Sequence, residues 1–268
     1  MSFQPVVPLS GYVGWRFLQR TLENQQAAFS DSQPITRATD YFRENISKVR
    51  TAEDLISDRR LLSVALGAFG LDGDINNKAF IRRILEDGTR ADDALSNRLA
   101  DKRYQDFSRT FGFGDSPIPL TGLSSFADKI ISRFEDRQFE RAVGEQNNDL
   151  RLALNVAPGL SDIISNTQSV NTQWFSIMGN APLRNVVQTA LGLPSGLASI
   201  DLDQQLEVFK ERAKSVFGTE KPADLAAPEM QEKLIRLFLI RAEAANISAT
   251  SGASTALTLL QSSQRPLG

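Results

Sequence analysis

At 268 residues the chain has room for one large domain or two of ordinary size, and an apolar fraction of 41% is enough to build a core. Its 30 basic and 32 acidic residues leave a net charge of −2 with no long run of one sign, which argues against nucleic acid as a partner. With no cysteine and no histidine, disulfides, thiolate chemistry, zinc or haem on those ligands and every device that needs an imidazole are excluded; carboxylate, lysine, tyrosine and hydroxyl chemistry remain.

Residues 1–12, with Pro5, Pro8 and Gly11, are expected as an extended arm, without the basic segment and long apolar core of a secretory signal. No apolar stretch approaches the length of a membrane span, so a cytoplasmic location or signal-free export is expected. Helical spacing begins at Val13, with Trp15, Leu18 and Leu22 on one side, and Pro34 suits the first turn of a second helix carrying Tyr41, Phe42 and Ile46. The strongest pattern runs from Asp54 to Leu71. There Leu55, Leu62, Ala65, Leu66 and Phe69 share one helical face, Thr51 and Asp54 form a capping-box pair, and Gly70 supplies the left-handed stop with Leu71 as its apolar contact.

The following Asp72, Asp74 and Asn76 occupy the first three ligand positions of an EF-hand. Asn77 stands where the sharp turn needs glycine, and Arg83 where a bidentate glutamate belongs, so no metal is expected. Asp74 or Asn76 is read instead as the cap of a helix through Phe80, Ile81, Ile84 and Leu85, ended by Gly88. A longer helix is expected from Asp92 to Phe111, closed at Gly112. The Gly112-Phe113-Gly114 stretch has no preceding strand and no third glycine, and is read as a helix stop rather than a phosphate cradle.

Helical spacing resumes from Ser124 through Val143, weakens at Gly144 and continues through Leu150, Leu152 and Leu154 to Pro158. Asn180 before Pro182 starts a helix that ends at Gly192, another spans Asp203 to Phe217, and the last strong one runs from Pro228 through Ile240, apolar on most sides. After Ile247 the composition turns to Ser, Thr, Ala and Gly, expected as a mobile tail. Strand-like alternation never persists, so the fold class is all-α.

Three local matches recur in one order. Leu61, Val64, Phe69, Gly70 and Leu71 are echoed by Leu183, Val186, Leu191, Gly192 and Leu193; Phe111-Gly112 by Phe217-Gly218; and Lys129, Ile130, Ile131 and Phe134 by Lys233, Leu234, Ile235 and Phe238. They predict a multihelical protein made of two related units by tandem duplication and packed with pseudo-twofold symmetry. The expected divisions are an arm at 1–12, a first repeat at 13–132, a second at 133–246 and a tail at 247–268. The shrinking offset between matches predicts an extra helix in the first copy around residues 76–87.

The strings Tyr41-Phe42-Arg43-Glu44-Asn45-Ile46, Asp58-Arg59-Arg60-Leu61-Leu62, Ala68-Phe69-Gly70-Leu71, Val143-Gly144-Glu145 and Arg151-Leu152-Ala153-Leu154 resemble those of an alphaproteobacterial family of unknown function. Genes of that family often lie among flagellar genes, and the likeness covers most of residues 40–245. The resemblance implies a multihelical, duplicated fold and a flagellar connection, reached by signal-free export if outside the cytoplasm. It carries no catalytic residue onto a position here.

Among candidate groups, Asp54 and Asp58 are four apart on one expected helix face, beside Arg59 and Arg60, where a desolvated carboxylate pair could serve acid–base work. Asp101, Arg103 and Tyr104 form a second charged group. The plainer reading of both is helix-end electrostatics and a solvated face. Trp15 and Trp174 could anchor a partner, although Trp174, beside Phe175, Ile177 and Met178, suits a core. The expected function is therefore a non-enzymatic protein-interaction or structural accessory protein linked to flagellar assembly, without cofactor, binding other proteins. The alternative is an enzyme or small-ligand module that uses carboxylates and arginines in a cleft between the two helical units.

Overall fold

A computed structural model describes residues 3–99 and 101–263, with side chains for all of these except Asn166 and residues 248–263. Among the described residues every regular element is helical. In chain order these are α1 (Gly11–Ser30), α2 (Gln33–Asn45), α3 (Ala52–Ser57), α4 (Arg59–Gly67), α5 (Lys78–Asp87), α6 (Leu95–Arg98), α7 (Arg103–Phe111) and α8 (Phe126–Gln146). They continue as α9 (Asn148–Leu154), α10 (Val156–Asn166), α11 (Val170–Gly179), α12 (Ala181–Leu191), α13 (Leu202–Phe217) and α14 (Pro228–Ser263), joined by short 3-10 turns. The all-α expectation therefore stands.

The chain forms two compact units, one of Met1–Val6 with Arg20–Glu145 and one of Val7–Gln19 with Gln146–Gly268, so α1 is divided between them. This partition by compactness differs from the one drawn from the sequence echoes at 132/133, because α8 runs unbroken to Gln146, through Gly144.

In the first unit the core is built on α4, whose Leu61, Leu62, Val64, Ala65 and Leu66 are all buried. Phenylalanines close over it: Phe69 meets Phe107 at 5.3 Å between ring centroids, Phe107 meets Phe111 at 5.0 Å, and Phe111 meets Phe126 at 5.2 Å. α8 crosses α4 at Gly67, where a Cβ would lie 2.8 Å from carbons of the Phe134 ring. In the second unit Leu183, Val186, Val187, Ala190 and Leu191 of α12 are buried, as are Leu234, Ile235, Phe238 and Leu239 of α14.

The same helix ending occurs in both units. Gly70 has φ +67° and the Leu71 amide donates to the Leu66 carbonyl at 2.9 Å; Gly192 has φ +68° and the Leu193 amide donates to Gln188 at 3.0 Å. Only glycine takes that left-handed geometry freely, and the bond satisfies a carbonyl the helix leaves unpaired. An arginine then serves each end: Arg103 Nη1 donates to the Gly70 carbonyl and Arg241 Nη1 to the Ala190 carbonyl. The order of elements also recurs. A short helix, α4, a 3-10 turn, α7 and a second 3-10 turn lead into α8, and α11, α12, a turn, α13 and a turn lead into α14. α5 and α6 fall only in the first series.

Several expected elements differ. The stretch from Asp54 to Leu71 is two helices, because Asp58 leaves helical geometry at φ −94°, ψ 103° and turns its carboxylate onto the first amides of α4. The expected helix from Asp92 to Phe111 is likewise two: Leu99 is extended and Asp101 accepts from the Arg103 amide at 3.0 Å as α7 begins. The residue before α5 is Asn77, with no side-chain cap, rather than Asp74 or Asn76. α10 continues past Pro158, which sits in its first turn, where a missing amide costs nothing. α11 was missed; its start is marked by Ser169, which accepts from the Thr172 amide. Instead of a tail at 247, α14 continues helical to Ser263, with no proline before Pro266 to stop it. The end of that expected tail, residues 264–268, lies outside the described residues.

Candidate functional site

Asp54, Asp58 and Arg59 line an open depression of about 610 Å³ in the first unit, with Asn45, Lys48, Val49, Ser57 and Leu61. Each acid is placed by its local chain. Asp54 is the third residue of α3: its Oδ2 accepts from the amides of Arg50 and Thr51, both at 2.9 Å, while Thr51 Oγ1 accepts from the Asp54 amide at 3.1 Å. This is the capping box expected from the sequence. Asp58 caps α4, with Oδ1 accepting from the Arg60 amide at 2.8 Å and the Leu61 amide at 3.1 Å. Its Oδ2 accepts from the Tyr41 hydroxyl at 2.6 Å. The two acids thus belong to different helices and do not share a face.

The hydrogen bond from the Arg50 amide, with those of Thr51, holds Asp54 below the usual carboxylate range. At Asp58 desolvation pushes upward, but the Tyr41 hydroxyl and the Leu61 and Arg60 amides outweigh it and leave the group lowered. Both are therefore ionised at neutral pH, with no proton to give, and an acid stabilised by so many donors is a weak base. The arginines are also engaged. Arg59 Nη1 donates to Asn76 Oδ1 at 3.1 Å, and Arg60 stacks 3.5 Å above the Tyr41 ring while reaching the Arg37 carbonyl at 3.4 Å.

The EF-hand-like oxygens are turned to protein donors. Asp72 Oδ1 accepts from Gln138 at 2.9 Å and Arg141 at 3.3 Å, Asp74 Oδ2 from the Tyr104 hydroxyl at 2.6 Å, and Asn76 from Arg59. Burial, with the bond to Asp74, raises Tyr104 to about 12. Arg103 forms a fork onto Asp101, with Nε at 3.0 Å from Oδ1 and Nη2 at 2.7 Å from Oδ2. The fork orients the guanidinium, whose Nη1 donates to the Gly70 carbonyl and so ties the start of α7 to the end of α4. Among the described residues no group of His, Cys, Asp or Glu is arranged to hold a metal.

Both tryptophans are interior. Trp15 is 5% exposed, and Trp174 is fully buried, donating from Nε1 to the Glu220 carbonyl at 2.8 Å. Neither is presented to a partner, which corrects their place among anchors and agrees with the core reading of Trp174. What the sequence did not reveal is the role of Tyr41, Tyr104 and Asn76, whose partners lie 17 to 30 residues away.

Asp58→Ala is expected to cost about 1–2 kcal/mol at neutral pH through loss of the cap. Because the folded pKa is depressed, this contribution is present above the unfolded value and disappears as the pH falls below about 4. Urea unfolding of wild type and variant at neutral and acid pH checks it: the gap between them is expected to close in acid.

A protein family described as of unknown function (DUF1217) matches residues 68–230. The crystal structure of protein AGR_C_984 from Agrobacterium tumefaciens, a structural-genomics target, resembles this chain with a TM-score of 0.73 and 26% identity. That match covers 91% of this chain and 99% of the other. Among curated proteins nothing matches. The depression at Asp54 and Asp58 lies before the segment matched by the family.

Proposed function

This chain belongs to the DUF1217 family, which matches more than half of it, and on that premise we propose that it is a non-enzymatic helical protein that binds other proteins. The observation that carries the reading is α14. It is buried at Leu234, Ile235, Phe238 and Leu239, but Ile240 is 51% exposed, Ala245 is exposed and Ile247 is 65% exposed, while the helix runs on to Ser263. From Ile247 that is roughly 24 Å of further helix. No charged residue occurs between Glu243 and Arg265, so this length has no ion pairs to support it. Helices of such length are marginal in water unless a face is packed, which makes a partner the natural source of their stability.

The residue strings that resemble a family found among flagellar genes support a role in flagellar assembly or motility. The repeated glycine ending and the repeated order of elements support the descent of both series from one duplicated helical unit. The rival reading, a carboxylate and arginine site for a small ligand, has the depression in its favour; the engagement of both acids as helix caps weighs against it.

The test is capture from the native cell with the full chain and with a chain ending at Asn246. A partner retained by the first and lost by the second is expected; equal capture would overturn the reading. A deletion strain that swims and builds filaments normally would remove the flagellar part alone.

A further inference from the structure

We propose that the N-terminal arm is an exchangeable element: the seat that holds Pro5 and Val6 takes the same segment from a second copy of this chain. The inference goes beyond the protein-binding reading above and concerns a different stretch of the chain from α14.

The seat reads main chain. Gln25 on α1 is only 7% exposed; its Oε1 accepts from the Val6 amide at 2.6 Å, and its Nε2 donates to the Val6 carbonyl at 3.2 Å and to Thr21 Oγ1 at 2.7 Å. A carboxamide that takes both backbone groups of one residue does what a neighbouring β-strand would do, and it suits an extended residue. Burial shows which part is recognised: Pro5 is buried, whereas the Val6 side chain is left 51% exposed. The fixed φ of proline means that the segment arrives with little left to order. The segment seated there is this chain's own, so every further copy carries an equal match.

The route back to the seat is narrow. Residues 3–10 precede α1 without regular structure, and Gly11 then turns the chain at φ +61°, with Ser10 Oγ donating to Glu243 Oε1 at 3.0 Å. Gly14, inside the helix, leaves room for the arm: a Cβ there would lie 2.7 Å from the Leu9 carbonyl carbon and closer still to its oxygen. The arm also parts from its neighbours in packing, since residues up to Val6 belong to the first unit and Val7–Gln19 to the second. A terminal segment with a seat of its own, joined by a few residues to a turn that two glycines hold closed, is suited to change places between protomers. The cost is low because both forms keep the same contacts. While the turn is closed, tethering gives the chain's own arm an effective concentration in about the millimolar range. Opening the turn removes that advantage and leaves the seat to the arm of another copy.

Sedimentation of the full chain over a concentration series tests this, and the wild type is expected to be monomeric at micromolar concentration. Gly14→Ala suits the helix and drives Leu9 off it, so a dimer is expected at a concentration at least about tenfold below that at which the wild type associates. Gly11→Val opens the same turn from its other side, because valine avoids a positive φ, and is expected to act alike; it stands in if the first variant fails to fold. In either background Gln25→Ala removes the seat, and Val6→Pro removes the amide from which Gln25 Oε1 accepts. Each is expected to restore the monomer, while circular dichroism shows the same thermal transition. Folded opened variants that stay monomeric, or a dimer in any of these chains that survives Gln25→Ala, would overturn the proposal. Truncation at Asn246 leaves the arm in place and tests the protein-binding reading alone, so each can fail without the other.

Discussion

Replacing Trp174 with alanine is expected to lower the unfolding free energy of the second unit by about 3–5 kcal/mol. The side chain is fully buried in α11, its ring centroid is 5.8 Å from that of Phe209 on α13, and its indole N–H closes on the Glu220 carbonyl. Truncation removes the largest apolar surface a residue can bury and leaves a cavity whose walls come from several helices, so collapse to fill it is limited. With urea slopes of about 1–3 kcal/mol per molar, the midpoint is expected to fall by at least 1 M. Trp174→Phe keeps most of the ring and is expected to cost markedly less. A change under about 1 kcal/mol for the alanine variant would return Trp174 to the surface role first entertained for it.

Gly114→Ala is expected to destabilise the first unit by about 1–3 kcal/mol or more. A Cβ there would lie 2.5 Å from the Gly88 amide nitrogen and closer still to the Glu86 carbonyl oxygen, so it meets backbone at the end of α5 rather than a side chain that could swing aside. Gly73→Ala is the control: nothing lies within 4 Å of its Cβ position, and an effect within about 0.5 kcal/mol is expected. Thermal unfolding followed by circular dichroism compares the two. Equal behaviour would show that the close approach at Gly114 is unimportant, and would reopen the question of what the Gly-x-Gly stretch is for.

The helices legible in the sequence were those whose apolar stripe and end signals agree. Val186, Val187 and Ala190 with Asn180 and Gly192 were placed correctly because period, cap and stop point to one answer, whereas for Leu62 and Leu66 the period and the stop at Gly70 were right but the cap read at Thr51 opens α3 and Asp58 caps α4. The breaks at Asp58 and Leu99 were not legible. The apolar period runs through both, while the deciding interaction is a carboxylate turning to a backbone amide, which spacing does not encode. α11 was missed although Trp174, Ile177 and Met178 stand at helical spacing, because the polar Gln173 shares their buried face while the apolar Phe175 lies off it. At the candidate site the residue types were legible and their employment was not. Asp54 and Asp58 look like a pair four apart until Tyr41, distant in sequence, takes an oxygen of the second.

Both tryptophans lie in one unit, Trp15 in the stretch Val7–Gln19 and Trp174 in the stretch beginning at Gln146. Intrinsic tryptophan emission therefore reports on that unit alone, while the phenylalanine-rich core built on α4 is silent in it. A denaturation curve read by fluorescence and one read by backbone ellipticity will coincide only if the two halves of the molecule lose their structure together, so the natural sequence already contains the optical label needed to tell coupled from sequential unfolding.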